Sequence, residues 1–170
     1  MSVVYTIGYE DTDIDRFVDT LKAVGVRTLA DVRAVALSRK KGFSKAALRN
    51  RLAEEGIVYR HFAELGDPKP GREAARAGHH DKFRKIYAKH LTSAEAKSAL
   101  DTLAETTWSS PSCLLCFERD PKLCHRSIVA DKLRLLGLEV FDLFGDIPAR
   151  YVNHATKFPR HHSRESTATA

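Results

Sequence analysis

The chain has 170 residues, 43% of them hydrophobic, and 28 Lys and Arg against 22 Asp and Glu give a formal charge of +6. This length suits one domain with its own core, and no apolar stretch approaches the roughly eighteen residues of a membrane-spanning helix. The opening "MSVVYTIGYE" lacks the basic and long apolar regions of a signal peptide, and the three cysteines do not suggest a disulfide framework, so a cytoplasmic protein with anionic partners is expected.

Five short β-branched or aromatic runs read as strands: "VVYTIG" (3–8), "RTLADVR" (27–33), "IVYRHF" (57–62), "SCLLCFE" (112–118) and "EVFDLF" (139–144). Most are continuous apolar runs, as in strands buried on both faces. Helical patterns lie between them. "DIDRFVDTLKAVG" puts Ile14, Phe17, Val18 and Leu21 on one face, with Gly25 as its stop. "SKAALRNRLAEEG" has Ser44 as N-cap and Gly56 as stop. "DKFRKIYAKHL" and "SAEAKSALDTLAE" form a further pair, with Ser93 capping the second, and the last helix spans about 123–136. The segment "GDPKPGREAARAGHH" (66–80), rich in Gly, Pro and charge, reads either as a lid beside a site or as a solvent loop.

This alternation predicts a single α/β domain over residues 1–158, with a mainly parallel, about five-stranded sheet and helices on both faces. Residues 159–170 read as a polar, disordered tail. The strand order is left open.

In open α/β sheets, ligands bind beyond the carboxyl ends of the strands. Tyr9 and Glu10 follow the first strand, Asp31 and Arg33 end the second, and Arg60 and His61 end the third. Glu118 ends the fourth strand and Cys124, His125 and Arg126 follow it, while Asp142 and Asp146 lie near the end of the fifth. Alternation puts Glu118 on the face of Leu114 and Cys116. A helix starting near Cys124 would lower its thiol pKa, which suits a nucleophile; a small buried hydrophobe is the other reading. Helical spacing turns His125 away from Cys124, leaving it a catalytic role or a structural bond to a backbone carbonyl. Arg126, with Arg33, would clamp an anion, or else would pair with Glu118, Asp120 or Asp31 to hold the loop.

Cys113 and Cys116 have knuckle spacing but face opposite sides of a strand. Cys116, Cys124, His125 and a distant His could assemble a metal site, but no second ligand pair has diagnostic spacing, so no metal is expected. There is no G-x-G-x-x-G, Walker loop or G-x-S-x-G, and no cofactor is expected. From Arg33 to Arg51 there are seven basic residues (Arg33, Arg39, Lys40, Lys41, Lys45, Arg49, Arg51) and no acidic one. Arg39, Lys40, Lys41 and Lys45 could follow a nucleic-acid backbone, with Phe43 and Tyr59 as stacking surfaces.

"TIGYE" (6–10), "DVR" (31–33), "GFSKAALRNRLAEEGIVYRHFAELGD" (42–67) and above all "LLCFERDPKLCHRSIVADKL" (114–133) resemble domain-of-unknown-function family 488 over about residues 3–147. The resemblance maps that family's characteristic positions onto Thr6, Ile7, Gly8, Asp31, Arg33, Phe43, Ser44, Leu65, Gly66, Cys116, Glu118, Cys124, His125 and Arg126. Where the family commonly has His then Ser, this chain has Tyr9 and Glu10, and where it commonly has two glycines, the chain has Gly66 and Asp67. The resemblance implies a single α/β domain and no particular reaction. The functional expectation is an enzyme using Cys124, Glu118 and His125 on a phosphate-bearing or nucleotide-like substrate held by Arg33, Arg126, Tyr9 and Asp31. The alternative is a non-catalytic nucleic-acid-binding module built on residues 33–51.

Overall fold

A computed structural model describes residues 2–152; the predicted tail at 159–170 lies outside them. Five strands, β1 (Val3–Gly8), β2 (Thr28–Asp31), β3 (Val58–His61), β4 (Ser112–Cys116) and β5 (Glu139–Phe144), form one sheet in the order β3-β2-β4-β1-β5. Every pairing is parallel. β1, β2 and β4 are buried throughout, as their unbroken apolar runs require, whereas the edge strands β3 and β5 are partly exposed.

Helices cover both faces. Tyr5, Ile7, Leu29, Cys113 and Leu115 pack against α1 (Ile14–Ala23) and α2 (Lys45–Ala53). Val4, Ala30 and Leu114 pack against α3 (Lys69–Arg76), α4 (His80–His90), α5 (Ala94–Ser109) and α6 (Arg126–Leu135). A short α7 (Ala149–Val152) adds Tyr151 to the first face. No helix among the described residues is long and apolar enough to cross a membrane.

Two local readings change. Residues 66–80 are mostly helical, with Pro70 and Gly71 in the first turn of α3, where proline's missing N–H costs nothing. Gly71 makes room for the Asp67 side chain, since a Cβ there would stand 2.1 Å from Asp67 Oδ1 and displace it. Ser44 precedes α2 but makes no capping bond; its Oγ donates to Ser38 O and accepts from Ser38 N–H, both at 3.0 Å, closing the basic loop. Asp13 and Ser93 do cap α1 and α5, through Arg16 N–H and Ala96 N–H.

The strand order places a topological switch between the neighbours β1 and β4. β1 leads to α1 on one face and β4 leads to α6 on the other, so the chain parts above Gly8 and Cys116 and leaves a crevice. The strands approach closely there, and a Cβ on Gly8 would lie 1.8 Å from the Glu118 carbonyl oxygen. Gly8→Ala should therefore cost about 2 kcal/mol or more, lowering Tm by roughly 4–8 °C in a denaturation scan. An unchanged Tm would show that β1 and β4 do not meet in this way.

Candidate functional site

The crevice holds an open cavity of about 610 Å³, lined from the strand ends by Tyr9, Arg33, Cys116 and Glu118, from the start of α6 by His125, and from the α3 region by Asp67, Arg72 and Arg76. β1–β4 pairing continues past the strands, with Tyr9 N–H donating to Cys116 O at 3.3 Å and Glu10 N–H to Phe117 O at 2.8 Å. Glu118 and the residues after β1 are therefore held in register at the rim.

Asp31 and Arg33 form a buried two-pronged ion pair, with Nε donating to Oδ1 at 2.9 Å and Nη2 to Oδ2 at 2.6 Å. Arg33 Nη1 also donates to Phe43 O at 2.8 Å and to the Tyr9 hydroxyl at 3.4 Å. Tyr59 donates to Asp31 Oδ2 at 2.5 Å, and His61 Nε2 to Arg33 O at 2.8 Å. Burial opposes the charge on Arg33, but Asp31 more than offsets it and the net pKa shift is upward. Asp31 and Arg33 are therefore a wall brace whose edge reaches the cavity. Tyr9 is likewise buried, stacked on Phe43 with ring centroids 4.6 Å apart.

Arg126 is 0% exposed and does not line this cavity, so its expected role in clamping an anion there is corrected. Its Nε donates to Thr6 Oγ1 at 3.2 Å, Nη1 to Glu118 O and Nη2 to Arg119 O at 3.2 Å. It does hold the loop, through backbone carbonyls rather than the expected carboxylates.

The reactive cluster lies where β4 ends and α6 begins. Cys116 Sγ is 3.7 Å and Cys124 Sγ 3.9 Å from His125 Nδ1. The expectation that His125 turns away from Cys124 fails because Cys124 is extended (φ −129°, ψ 146°), so helical spacing does not apply. His125 Nε2 donates to Val32 O at 2.6 Å, which leaves Nδ1 facing the thiols. Tyr87 meets the ring edge-on at 5.3 Å. The Cys116 thiol donates to Glu118 Oε2 at 3.4 Å. Cys124 Sγ accepts from Arg126 N–H at 3.4 Å, yet burial, followed by neighbouring Cys116, pushes its thiol well above the ordinary range. The expected lowering at a helix start is thus outweighed, and Cys124 is a buried neutral thiol lining a second, 430 Å³ cavity rather than the first. The sulfur facing the main cavity belongs to Cys116, which the sequence offered as a metal-ligand partner and a characteristic family position but not as a catalytic residue. Cys113 faces the opposite side of the sheet, as alternation requires.

Three further cavity residues were missed. Arg72, Arg76 and Asp67 come from the segment read as a lid or loop, and nothing in its Gly- and Pro-rich composition aimed them at the strand ends. Arg72 Nη1 donates to Asp67 O at 2.5 Å. Asp67 is 7% exposed, and its Oδ1 has no hydrogen-bond partner among the described residues. Burial raises its pKa, opposed by His125 and Arg72.

Residues 13–133, including Asp31, Arg33, Cys116, Glu118 and the Cys124-His125-Arg126 run, match the family described as "Domain of unknown function DUF488". The chain belongs to the DUF488 family. Neither the curated proteins nor the solved structures contain a match to it.

In this DUF488 protein the basic stretch is less open than its sequence suggests. Arg33 is buried, Lys40 Nζ donates to Tyr9 O at 3.0 Å, and Arg51 pairs with Asp15, Glu54 and Glu55. Arg39, Lys41, Lys45 and Arg49 are exposed. Phe43 is 0% exposed and Tyr59 is tied to Asp31, so the expected stacking surfaces are corrected.

Replacing Arg126 with Met leaves Thr6 and two carbonyls without their donor. A loss of about 3 kcal/mol, roughly 6–12 °C in Tm, is expected. Asp67→Asn should act in the opposite direction. A carboxyl whose folded pKa is raised destabilises the fold above that pKa and has no such effect below its unfolded value, ordinarily 3.8. The amide in its place should therefore stabilise the chelator-treated protein by about 1 kcal/mol at pH 7, with the gain gone near pH 3, as read from paired chemical denaturation curves.

Proposed function

We propose that this protein is an enzyme that takes a small phosphate-bearing, nucleotide-like substrate into the cavity at the β1–β4 switch point. One observation carries the reading: Glu118 and the Cys116–His125 contact open onto the same 610 Å³ space as Arg33, Arg72 and Arg76. Fixed cations hold an anion most strongly where water is partly excluded, and a carboxylate within reach of the bound molecule can move a proton. Arg76 is exposed, and half-buried Arg72 has its guanidinium braced on the Asp67 carbonyl, so these two supply the anion contact. Glu118 is the proton-transfer group. The floor of the cavity presents sulfur from Cys116 and Nδ1 of His125. At the mouth, Phe117, Val35 and Leu37 are 44%, 54% and 75% exposed, an apolar rim suited to a base or other flat non-ionic part.

The alternative, a non-catalytic nucleic-acid-binding module, rests on exposed Arg39, Lys41, Lys45 and Arg49 and has lost its aromatic component. The two readings part on mutation. Nucleoside mono- and diphosphates and sugar phosphates should be tested by calorimetry and by product analysis. Arg72→Ala with Arg76→Ala should weaken binding about tenfold or more, while Glu118→Gln should keep binding and lose about a hundredfold or more in turnover. Lys41→Glu with Lys45→Glu should change neither. A fully active Glu118→Gln protein, or binding only of oligonucleotides that the Lys41 and Lys45 changes abolish, would overturn the enzyme reading.

A further inference from the structure

We infer that Cys116, Cys124 and His125 hold a zinc ion, with its fourth coordination position facing the cavity. This deepens the reading above, and it depends on that reading only for what the ion does, not for whether it binds.

The three donor atoms, Cys116 Sγ, Cys124 Sγ and His125 Nδ1, all lie within 4.8 Å of one another and all three residues are buried. Zinc with Zn–S near 2.3 Å and Zn–N near 2.0–2.1 Å in a tetrahedron sets sulfur and nitrogen about 3.6 Å apart. The two sulfur–nitrogen separations here are 3.7 and 3.9 Å, within a few tenths of an ångström of that value, and the two sulfurs lie within 4.8 Å of each other, against about 3.8 Å around a tetrahedral zinc. Two sulfurs and an imidazole nitrogen are the donor set that favours zinc over magnesium or calcium.

The surroundings are built as a metal's outer shell would be. His125 Nε2 donates to Val32 O, the bond by which a metal-bound imidazole is usually fixed in one tautomer. Arg126 N–H donates to Cys124 Sγ, and the Arg126 side chain ties the same turn to Thr6 and to the carbonyls after β4. The ligands therefore sit on a braced junction of strand end and helix start. Both thiols would bind as thiolates, releasing their protons to solvent, and the two negative sulfurs would neutralise the ion.

Carboxylates lie close by. Asp67 is over nine-tenths buried and lines the same cavity as Cys116 and His125, although its Oδ1, the one buried side-chain oxygen among the described residues with no hydrogen-bond partner, lies against Gly71 of α3. Glu118 Oε2 lies 3.4 Å from Cys116 Sγ on the same side. A two-sulfur, one-nitrogen set with Glu118 beside it offers three protein ligands and one open position, the pattern of a catalytic rather than a structural zinc. A phosphate oxygen or water would enter there, with Glu118 beside it to take a proton.

The full chain, freed of any affinity tag and purified without chelator, should carry about one zinc per molecule by elemental mass spectrometry. Cys116→Ser and Cys124→Ser should each lose most of it, and Cys113→Ser should keep it. Cobalt-loaded wild-type protein should show a thiolate-to-cobalt charge-transfer band that both serine variants lack. Because Cys124→Ser can fail to fold, alkylation of the wild-type thiols gives a second readout: chelator should speed modification of Cys116 and Cys124 but not of Cys113. Protein that stays zinc-free after incubation with zinc and desalting, or zinc that survives in a folded variant carrying both Cys116→Ser and Cys124→Ser, overturns the site. Nucleotide binding measured on the same samples separates the two proposals. Binding without zinc sinks the metal site alone, and zinc without binding sinks the enzyme reading alone.

Discussion

A buried guanidinium with no carboxylate against it is the interaction on which this site depends. Arg126 at 0% exposure is a full cation taken out of water, and such a group is costly unless its nitrogens meet acceptors. Its acceptors are Thr6 in β1 and the carbonyls of Glu118 and Arg119 beyond β4. Thr6 in turn donates to Asp142 Oδ1 at 2.5 Å, so a negative charge on β5 is reached through a hydroxyl. Three neighbouring strands and the start of α6 are thereby held by one side chain. The backbone of Glu118 and the turn bearing Cys124 and His125 are fixed as a consequence, before any ligand is considered.

The same economy applies to the parallel sheet. Because β1 and β4 send their following helices to opposite faces, the crevice above Gly8 and Cys116 follows from the topology and needs no special loop. What fills it is decided by close backbone approaches. Gly8 lets β1 pass the Glu118 carbonyl, and Gly71 lets the Asp67 carboxylate lie against α3. Side chains at either position would move Glu118 or Asp67 away from the cavity.

Most of the fold was legible because each central strand is an unbroken apolar run and each helix carries an apolar face, patterns that tertiary context reinforces. The strand order was not, since nothing local distinguishes a chain that returns to the sheet between two existing strands from one that adds at the edge. The α3 segment was hidden for a different reason. Pro70 and Gly71 punctuate as a loop would, and only the position of Asp67 explains why a helix tolerates that glycine. At the site, the facing of Glu118 and the opposed facing of Cys113 followed from strand alternation. The relation of Cys124 to His125 did not, because it assumed helix from about residue 123, whereas α6 starts at Arg126. Burial of Arg126 was equally invisible, since an arginine two residues past a cysteine reads the same whether its partners are a ligand or the protein's own carbonyls.

The chain's departures from its family's usual residues bear on where the chemistry lies. Tyr9 occupies the position where the resemblance implies a histidine, and its ring is stacked on Phe43 with its hydroxyl accepting from Arg33. Glu10, beside it, accepts Arg119 N–H at 2.9 Å. Both residues are spent on holding the cavity wall, so neither is free to act as a base. Among the titratable groups lining the cavity are Glu118, Cys116, His125, His80 and Asp67, and of these Asp67 stands where the family commonly has glycine. An added buried carboxylate is costly unless something positive accompanies it. Arg72 gives its donor to the backbone of Asp67 rather than to its carboxylate, so a cation brought by the ligand or held by the neighbouring sulfurs would add to the attraction that His125 and Arg72 already exert on that carboxylate.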